Sequence, residues 1–267
     1  MELIFIKLGG SVLTDKTARE ALNQSLLHQV AGAIAAALDQ HPASRILIGH
    51  GGGSFGHPWA ARYGTHLGVK DAEGWHGVAR VADAMGRLNR AVVGALLDAN
   101  VNAISVQPSA SALASARQLQ QINTSTIERM LAAGLVPVVF GDVVLDTAQG
   151  AAIISTEALF SYLAPRLQPQ RIVLVGERGV FTADPRRDPT AQRIATITSS
   201  NIDQITEHLG GSHGTDVTGG MASKVHDMWR LVQAVPELEV RLIGTDPATM
   251  QQAILGEATN EGTVIRA

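Results

Sequence analysis

The stretch "HGGGSFGHP", residues 50–58, holds four glycines, two histidines and a serine within nine positions. Residues 45–49 before it read "RILIG", an apolar run that is typical of a buried strand. Residues 58–63 after it read "PWAARY", which predicts a helix with Pro58 at its first position. The region therefore predicts a strand, a glycine-rich turn and a helix in succession.

The alternation of strands and helices continues along most of the 267 residues. Strands are predicted at residues 2–8, 45–49, 101–106, 135–140, 171–176, 238–244 and 262–267. Helices are predicted at residues 17–40, 76–100, 126–134, 155–167, 201–210, 219–235 and 247–256. Thr17 and Glu20 match a capping box at the start of the first helix. The pattern predicts an α/β fold, with an open, mostly parallel sheet between two helix layers.

Composition excludes several classes of function. The net charge of −3 gives no general attraction to nucleic acid, and no apolar run reaches the 18 residues that a membrane span needs. The absence of cysteine excludes disulfides and thiolate metal sites, and it fits the reducing cytoplasm where we expect the protein. The histidines show no spacing that would bind a metal on a helix, so no protein-bound metal is predicted.

Glycine loops follow the predicted strands directly at residues 7–11 and 49–57, and a third candidate lies at 175–181. Carboxyl ends of parallel strands meet at one edge of a sheet, where ligands bind. Successive backbone N–H groups without side chains, followed by a helix N-terminus, form a concavity for anions. The loops therefore indicate a phosphate site, with plain tight turns as the alternative.

Lysine is scarce and unevenly placed. The chain has four lysines among 21 basic residues, and Lys7, Lys16 and Lys224 lie in or beside glycine-rich turns. A compact ammonium on a flexible stem suits a phosphate that moves between partners better than a planar guanidinium does. Chance placement is the alternative, and Lys224 has the further alternative of an exposed helix lysine.

These motifs together resemble the isopentenyl phosphate kinases of the amino acid kinase superfamily. The matching stretches are "IKLGGSVLTDK" (6–16), "GHGGGSFGHPWAARYG" (49–64), "VQPS" (106–109), "VPVVFGDVV" (136–144), "GVFTADP" (179–185), "DVTGGMASK" (216–224) and "GTVI" (262–265). His57, after "GGGSFG", is the most selective of them, since only isopentenyl phosphate kinases and the similar fosfomycin kinases share it. The chain departs from the family pattern at "STEA" (155–158) and "VGERG" (175–179).

The resemblance implies an amino acid kinase-like fold in one domain, residues 1–267. Its phosphate-acceptor lobe would span residues 1–168 and its ATP-binding lobe residues 169–267. The reaction would move the γ-phosphoryl group of Mg-ATP to isopentenyl phosphate, a small phosphomonoester, and we expect a homodimer. Two alternatives stay open: a phosphonate kinase of the fosfomycin type, and a non-catalytic nucleotide-binding sensor.

The resemblance also assigns residues to roles. Lys7, Lys16 and His57 would be catalytic, because two phosphorylated reactants repel each other unless cations and donors surround the transferring group. The acceptor phosphate would meet Gly51, Gly52, His57 and Thr156. ATP would meet Lys7, Gly9, Gly10, Ser11, Gly53, Asp184, Gly219 and Lys224.

Three further side chains have a structural alternative beside the functional one. Asp142 would orient Lys7 or Lys16 by ion pairing, or else serve a cap or turn. Asp184 has the alternative of an ordinary Asp-Pro turn, and His57 that of a helix cap or packing residue. His50, at a strand end, is interpreted as structural.

Overall fold

The computed structural model describes residues 2–15, 18–185, 188–210 and 220–267. Its strands are β1 (Leu3–Leu8), β2 (Thr14–Asp15), β3 (Ala21–Leu22), β4 (Arg45–His50), β5 (Ala103–Ser105), β6 (Ala112–Ser115), β7 (Gln118–Ile122), β8 (Val136–Phe140), β9 (Asp142–Asp146), β10 (Gly150–Ile154), β11 (Arg171–Val175), β12 (Val180–Phe181), β13 (Arg193–Ile194), β14 (Thr196–Ile197), β15 (Glu239–Ile243) and β16 (Thr263–Arg266).

Helices connect the strands. They are α1 (Gly10–Leu13), α2 (Gln24–Gln40), α3 (Gly53–Tyr63), α4 (Ala72–Asp98), α5 (Pro108–Ser111), α6 (Thr124–Ala132), α7 (Thr156–Leu167), α8 (Ile202–Gly210), α9 (Gly220–Ala234) and α10 (Pro247–Leu255), with a 3-10 turn at Thr65–Leu67. Within the described ranges, no helix is both long and apolar enough to cross a bilayer.

Eight strands form the main sheet in the order β14-β16-β15-β11-β1-β4-β8-β5. The pairs from β15 to β5 are parallel, and β16 runs antiparallel to β15. β1 is central, with β4 on one side and β11 on the other, so Leu8 lies level with both His50 and Val175. The prediction of an open, mostly parallel sheet is confirmed.

The two faces of the sheet carry separate hydrophobic cores, because side chains of a strand point alternately to either side. On β1, Ile4, Ile6 and Leu8 enter one core, and Phe5 enters the other. The first core also takes residues of α2, α3, α4 and α10, and the second takes residues of α6, α7, α8 and α9. The helix layers therefore cover both faces, as predicted.

A second sheet of four strands, in the order β10-β9-β6-β7, was not predicted. Asp146 links the β6–β7 turn to the β9–β10 turn of this sheet. Its carboxylate accepts hydrogen bonds from the backbone N–H groups of Ala116, Arg117, Ala148 and Gln149 at 2.7–3.2 Å. These bonds lower the pKa of Asp146 even though burial acts to raise it.

Three predicted helix starts differ from the structure by four residues or more, and α4 begins at Ala72, four residues before the predicted position. α2 begins at Gln24, and its N-cap is Asn23, whose side chain accepts from the N–H of Leu26. α3 begins at Gly53, five residues before Pro58, which lies inside the helix. Proline has no N–H for the carbonyl of Ser54 four residues back, and the N–H of Glu20 takes that place at 3.2 Å. Glu20 therefore contacts α3 and does not cap α2, while Thr17 lies outside the described residues.

Candidate active site

The glycine loops after β1 and β4 touch each other at the carboxyl edge of the sheet. A Cβ on Gly10 would lie 2.5 Å from the backbone nitrogen of Gly53, closer than real Cβ contacts. Gly53 adopts φ +47°, and a Cβ there would lie 2.0 Å from the hydroxyl of Thr14. Glycine is therefore required here for the approach of one loop to the other, in addition to any approach of a ligand.

The amides in these loops divide into two sets. The N–H of Gly9 donates to the carbonyl of Val175 at 3.1 Å, and that of Gly51 donates to the carbonyl of Leu8 at 3.0 Å. These bonds continue the sheet ladder by one residue, so the amides of Gly9 and Gly51 are not available to a phosphate. The predicted amide roles of both glycines are wrong for this structure.

The second set has no acceptor among the described residues. It comprises the N–H groups of Gly10, Ser11, Gly52 and Gly53. They lie at the N-terminal ends of α1 and α3, where helix geometry leaves amides unpaired and where the dipole favours negative charge. These four amides form the part of the predicted phosphate cradle that the fold leaves open.

The third candidate glycine loop, residues 175–181, has two of its amides bonded to a neighbouring strand. The N–H groups of Gly176 and Glu177 both donate to the carbonyl of Ile243, at 2.9 and 3.0 Å. Gly176 adopts φ +113°, and a Cβ there would lie 2.6 Å from the side chain of Val12. The loop follows β11, hydrogen-bonds to the end of β15 and packs against α1. These two amides are therefore not open to an anion.

Lys7, at the end of β1, forms an ion pair with Glu157 in the first turn of α7. The Nζ of Lys7 lies 2.7 Å from Oε1 of Glu157. Burial acts to raise the pKa of Glu157, but the charge and hydrogen bond of Lys7 outweigh it and hold the pKa below its ordinary value. The carboxylate is therefore ionised at neutral pH and fixes the ammonium at the sheet edge.

Lys224, in the first turns of α9, forms an ion pair with Glu177. Its charge also contributes to lowering the pKa of Glu157. Glu177 follows β11, which pairs in parallel with β1, so the Lys224–Glu177 pair lies at the same edge of the sheet as Lys7 and Glu157. The two lysines and two glutamates form one cluster, which we call the lysine–glutamate cluster (Lys7, Glu157, Lys224 and Glu177).

Thr156 lies between this cluster and the glycine loop of β4. Its side chain is buried, and its hydroxyl donates to the carbonyl of His50 at 2.6 Å. Its methyl group packs against Gly49, where a Cβ would lie only 2.4 Å away. The side chain is thus turned toward the sheet, and the predicted contact of Thr156 with substrate can involve only its backbone.

The two histidines of the opening motif have different environments. His50 is fully buried, stacks on Phe140 and lies 3.0 Å through Nδ1 from the carbonyl of Gly51, while its Nε2 lies 3.1 Å from the side-chain amide of Asn89. Burial lowers the pKa of His50 to about 4, so the ring is neutral and structural, as interpreted. His57 is exposed on α3, and it has no hydrogen-bond partner among the described residues.

Asp142 does not orient Lys7. Its carboxylate accepts from the backbone N–H groups of Ser109, at 3.1 Å, and Val143, at 2.8 Å. Ser109 lies in the first turn of α5, which has no side-chain cap of its own, so Asp142 caps this helix from a distant strand. Burial raises the pKa of Asp142 to about 6 in spite of these bonds. Lys7 is paired with Glu157 instead.

The remaining predicted residues lie elsewhere or outside the described structure. Asp184 is exposed after β12, and its carbonyl accepts from the N–H of Asp188 at 2.9 Å. Lys16 and Gly219 lie outside the described residues.

Sequence reasoning missed both glutamates of the cluster. Glu157 lies in "STEA" and Glu177 in "VGERG", the two places where the chain departs from the family pattern. The sequence marks these stretches only as departures and assigns no role to either glutamate. Their pairing could not be read from the sequence, because each partner is 47 or more positions away.

No group of carboxylates and histidines within the described ranges is arranged to hold a metal ion. The acidic groups nearest to the lysines, Glu157 and Glu177, each have an ammonium as a partner.

Comparisons with known proteins identify the family of the chain. Residues 2–242 match the amino acid kinase family. An isopentenyl phosphate kinase of Methanothermobacter thermautotrophicus is 36% identical over 263 residues, which cover 96% of each chain. One of Haloferax volcanii is 37% identical and covers 100% of this chain and 99% of its own. A solved structure of an isopentenyl phosphate kinase superposes with a TM-score of 0.82 at 32% identity, covering 98% of this chain and 99% of that one.

Proposed function

Because this chain belongs to the amino acid kinase family, we propose that it transfers the γ-phosphoryl group of ATP to isopentenyl phosphate. The products are isopentenyl diphosphate and ADP. The similarity to isopentenyl phosphate kinases extends over nearly the whole chain and includes the loops of the site. The observation that carries the proposal is the lysine–glutamate cluster beside the touching glycine loops, at the edge of the sheet where a parallel α/β fold binds ligands.

The chemistry requires charge neutralisation more than covalent catalysis. An oxygen of the acceptor phosphate forms a bond to the γ-phosphorus, and the bond from that phosphorus to the bridging oxygen of ADP breaks. The acceptor is already an anion, so no general base is needed. Its repulsion from ATP is the main barrier that the protein has to reduce.

Lys7 is the proposed cation for the transferring group. It stands at the end of the central strand, and Glu157 holds its ammonium in place from the start of α7. Lys224 is the proposed cation for the β- and γ-phosphates of ATP. Each ammonium has three N–H donors, so a phosphate oxygen could join Glu157 at Lys7, whereas it would displace the more exposed Glu177 from Lys224.

The open amides are the proposed backbone donors. Gly10 and Ser11, at the start of α1, would donate to ATP, and Gly52 and Gly53, at the start of α3, would donate to the phosphates. These donors are fixed before the substrates arrive, because the two loops pack on each other. Preorganised donors stabilise a developing charge without reorganisation during the reaction.

His57 is the proposed donor to the acceptor phosphate. It projects from α3 as an exposed side chain, one turn after Gly53. An imidazole donates from a ring nitrogen in either of its charge states. Lys16 at the transferring group, and Gly219 and Asp184 at the nucleotide, stay predictions from the resemblance.

Mg²⁺ is proposed to enter with ATP. The phosphate oxygens of the nucleotide would hold the ion, which supplies positive charge at the β- and γ-phosphates when bound. A homodimer, a cytoplasmic location and the division into lobes at residue 168 also stay predictions.

The experiment that tests the function is an ATP-coupled assay across a panel of small phosphomonoesters and phosphonates. We expect saturation with isopentenyl phosphate at micromolar concentration and formation of one ADP per diphosphate product. Preference for a phosphonate such as fosfomycin would reassign the acceptor. Binding of ATP without any phosphorylated product would favour the sensor.

Substitution of His57 tests its proposed contact with the acceptor phosphate. We expect His57→Ala to lower kcat/KM for isopentenyl phosphate about a hundredfold, because the phosphate loses a donor in the transition state. His28→Ala, which removes another exposed histidine from α2, is the matched control. If the two variants behave alike, His57 does not bind the acceptor.

A further inference from the structure

A short hairpin, made by β2 and β3, lies between α1 and α2 and contacts α3 at Ser54 and Trp59. Thr14, on β2, accepts a hydrogen bond through its hydroxyl oxygen from the N–H of Ser54 at 3.0 Å. Glu20, just before β3, donates its own N–H to the carbonyl of Ser54 at 3.2 Å. Both backbone groups of Ser54 are thus bonded to the hairpin, one on each side of its tip.

The side chain of Glu20 extends this attachment to two helices. Its Oε1 accepts from the indole N–H of Trp59, on α3, at 2.6 Å. Its Oε2 accepts from Arg87, on α4, at 2.7 Å. The hydrogen bond from Arg87, supported by that from Trp59, lowers the pKa of Glu20 to about 2, so the carboxylate is ionised at any assay pH.

Two further arginines complete the arrangement. The guanidinium of Arg19 lies 3.7 Å from the ring centre of Trp59, and that of Arg80 lies 4.3 Å from it. Trp59 is therefore held by stacked cations from the hairpin and from α4 as well as by its bond to Glu20. We call Glu20, Trp59 and Arg87 the hairpin clasp.

The backbone of Glu20 has a conformation that needs contacts from outside the hairpin to hold it. Glu20 has φ +54°, in the left-handed region that residues with a side chain seldom adopt. Such a conformation persists only where the surroundings hold it, and these residues concentrate at functional sites. Glu20 is held here by the bond from its N–H to the carbonyl of Ser54 and by the bonds from Trp59 and Arg87 to its side chain.

We propose that Glu20 is a positioning residue for phosphoryl transfer, which fixes the β2–β3 hairpin onto the helix that carries His57. This inference rests on the kinase function proposed above. Thr14 also donates its hydroxyl to the carbonyl of Gly10, so the hairpin joins the nucleotide-side loop to the acceptor-side helix. A segment held at both ends explores fewer conformations than one held at a single end, and a displacement near 1 Å can lower the rate about a hundredfold.

The test compares three variants with a matched control. Glu20→Asn tolerates the left-handed backbone, but its side chain is one methylene too short for the clasp. Glu20→Gln keeps the length and can accept from Trp59, but it loses the charge that Arg87 requires. Arg87→Met removes the other half of the ion pair. Asp83→Asn is the control, since Asp83 pairs with the same Arg87 but is exposed and does not contact the hairpin.

Activity is measured well below the melting temperature of every variant. We expect Glu20→Asn to lower kcat about tenfold or more, Glu20→Gln and Arg87→Met to lower it less, and Asp83→Asn to stay within twofold of the unaltered protein. KM for ATP should change less than kcat, because the clasp positions the hairpin and does not bind nucleotide. A purely structural role would lower the melting temperature and leave kcat unchanged at low temperature.

Backbone amide exchange gives a readout that does not depend on activity. We expect peptides that contain Glu20 to exchange faster in Glu20→Asn than in Asp83→Asn, while peptides from the central strand β1 are unchanged. Equal kcat for these two variants, or equal exchange at the hairpin, would overturn the inference. Absence of activity in the unaltered protein with isopentenyl phosphate would instead contradict the proposed function. If Glu20→Asn does not fold, Glu20→Gln and Arg87→Met carry the same comparison.

Discussion

Lys7 and Lys224 both form an ion pair with a glutamate, but the two pairs differ in how firmly the fold holds them. Lys7 extends from the central strand, and Glu157 from the first turn of α7, so both partners belong to elements packed in the cores. The side chains of this pair are 13% and 29% exposed. Those of Lys224 and Glu177 are 21% and 42% exposed, and Glu177 lies in a loop.

This difference separates two tasks of a phosphoryl-transfer site. A cation that stabilises the transferring group has to be in place before the reaction, which suits a pair anchored at the centre of the sheet. A cation that captures nucleotide has to exchange partners at every turnover, which suits the more exposed pair, whose glutamate competes less strongly. We call Lys7–Glu157 the inner pair and Lys224–Glu177 the outer pair. Changes to the inner pair are expected to alter kcat, and changes to the outer pair are expected to alter the KM for ATP.

The largest effect is expected at the inner lysine. Lys7→Met should lower kcat about a thousandfold, because the transition state loses its central cation in a partly buried site. The measurement is steady-state kinetics with isopentenyl phosphate and ATP. Lys70→Met is the control, since Lys70 is an exposed lysine outside the cluster. A fall in kcat of less than tenfold would mean that another cation stabilises the transferring phosphoryl group.

Glu157→Gln tests whether the inner pair depends on its anchor. We expect kcat to fall about 10- to 100-fold while KM for ATP changes less, because Lys7 remains but loses its position. The pKa of Glu157 is lowered in the folded state, so its stabilisation is present above the pKa of the unfolded chain and is lost as pH falls through the folded pKa.

Thermal unfolding measures that second effect. The melting temperature of the unaltered protein should exceed that of Glu157→Gln at neutral pH, and the difference should shrink below about pH 4. A difference that is the same at pH 3 and pH 7 would mean that the Lys7–Glu157 charge pair does not stabilise the fold.

Substitution of Lys224 is expected to give a smaller effect, on the KM for ATP rather than on kcat. Lys224→Met should raise the KM for ATP about tenfold, which is the loss of one charge-assisted hydrogen bond, and should lower kcat less than Lys7→Met does. Glu177→Gln is the complementary variant, and it should leave the KM for ATP equal or lower because the competing carboxylate is gone. An unchanged KM in Lys224→Met would remove Lys224 from the nucleotide site.

Seven of the eight strands of the main sheet were predicted, because they are apolar runs and most of them end at or beside a glycine. β14 was missed, since two residues are too short to give such a run. Prediction from the sequence failed at Glu20 and Pro58, where a local capping pattern and a local helix-start rule both lost to contacts between distant segments. The carbonyl of Ser54 shows why: its missing donor is replaced by a residue 34 positions earlier, which no local pattern reveals.

The site shows the same limit. The glycine loops after β1 and β4, and Lys7, lie at the sheet edge where the strand pattern predicted them, because strand ends determine where such loops lie. Which amides stay open was not predictable, since the N–H groups of Gly9 and Gly51 extend the ladder to neighbouring strands. The two glutamates were also missed, because pairing across the sheet edge depends on the order of strands rather than on spacing along the chain.

The smallest effect is expected at Asp142, which lies outside both pairs and caps α5. Asp142→Asn should change kcat less than threefold, because Glu157 and not Asp142 holds Lys7. Burial raises the pKa of Asp142 from an ordinary 3.8 to about 6, so the folded state binds more protons than the unfolded chain between those values. The free energy of unfolding should therefore fall as pH rises from about 4 to about 6, and Asp142→Asn should lack this part of the dependence. A large loss of kcat in Asp142→Asn, with melting unchanged, would restore Asp142 as an orienting residue and would remove the distinction drawn between the two pairs.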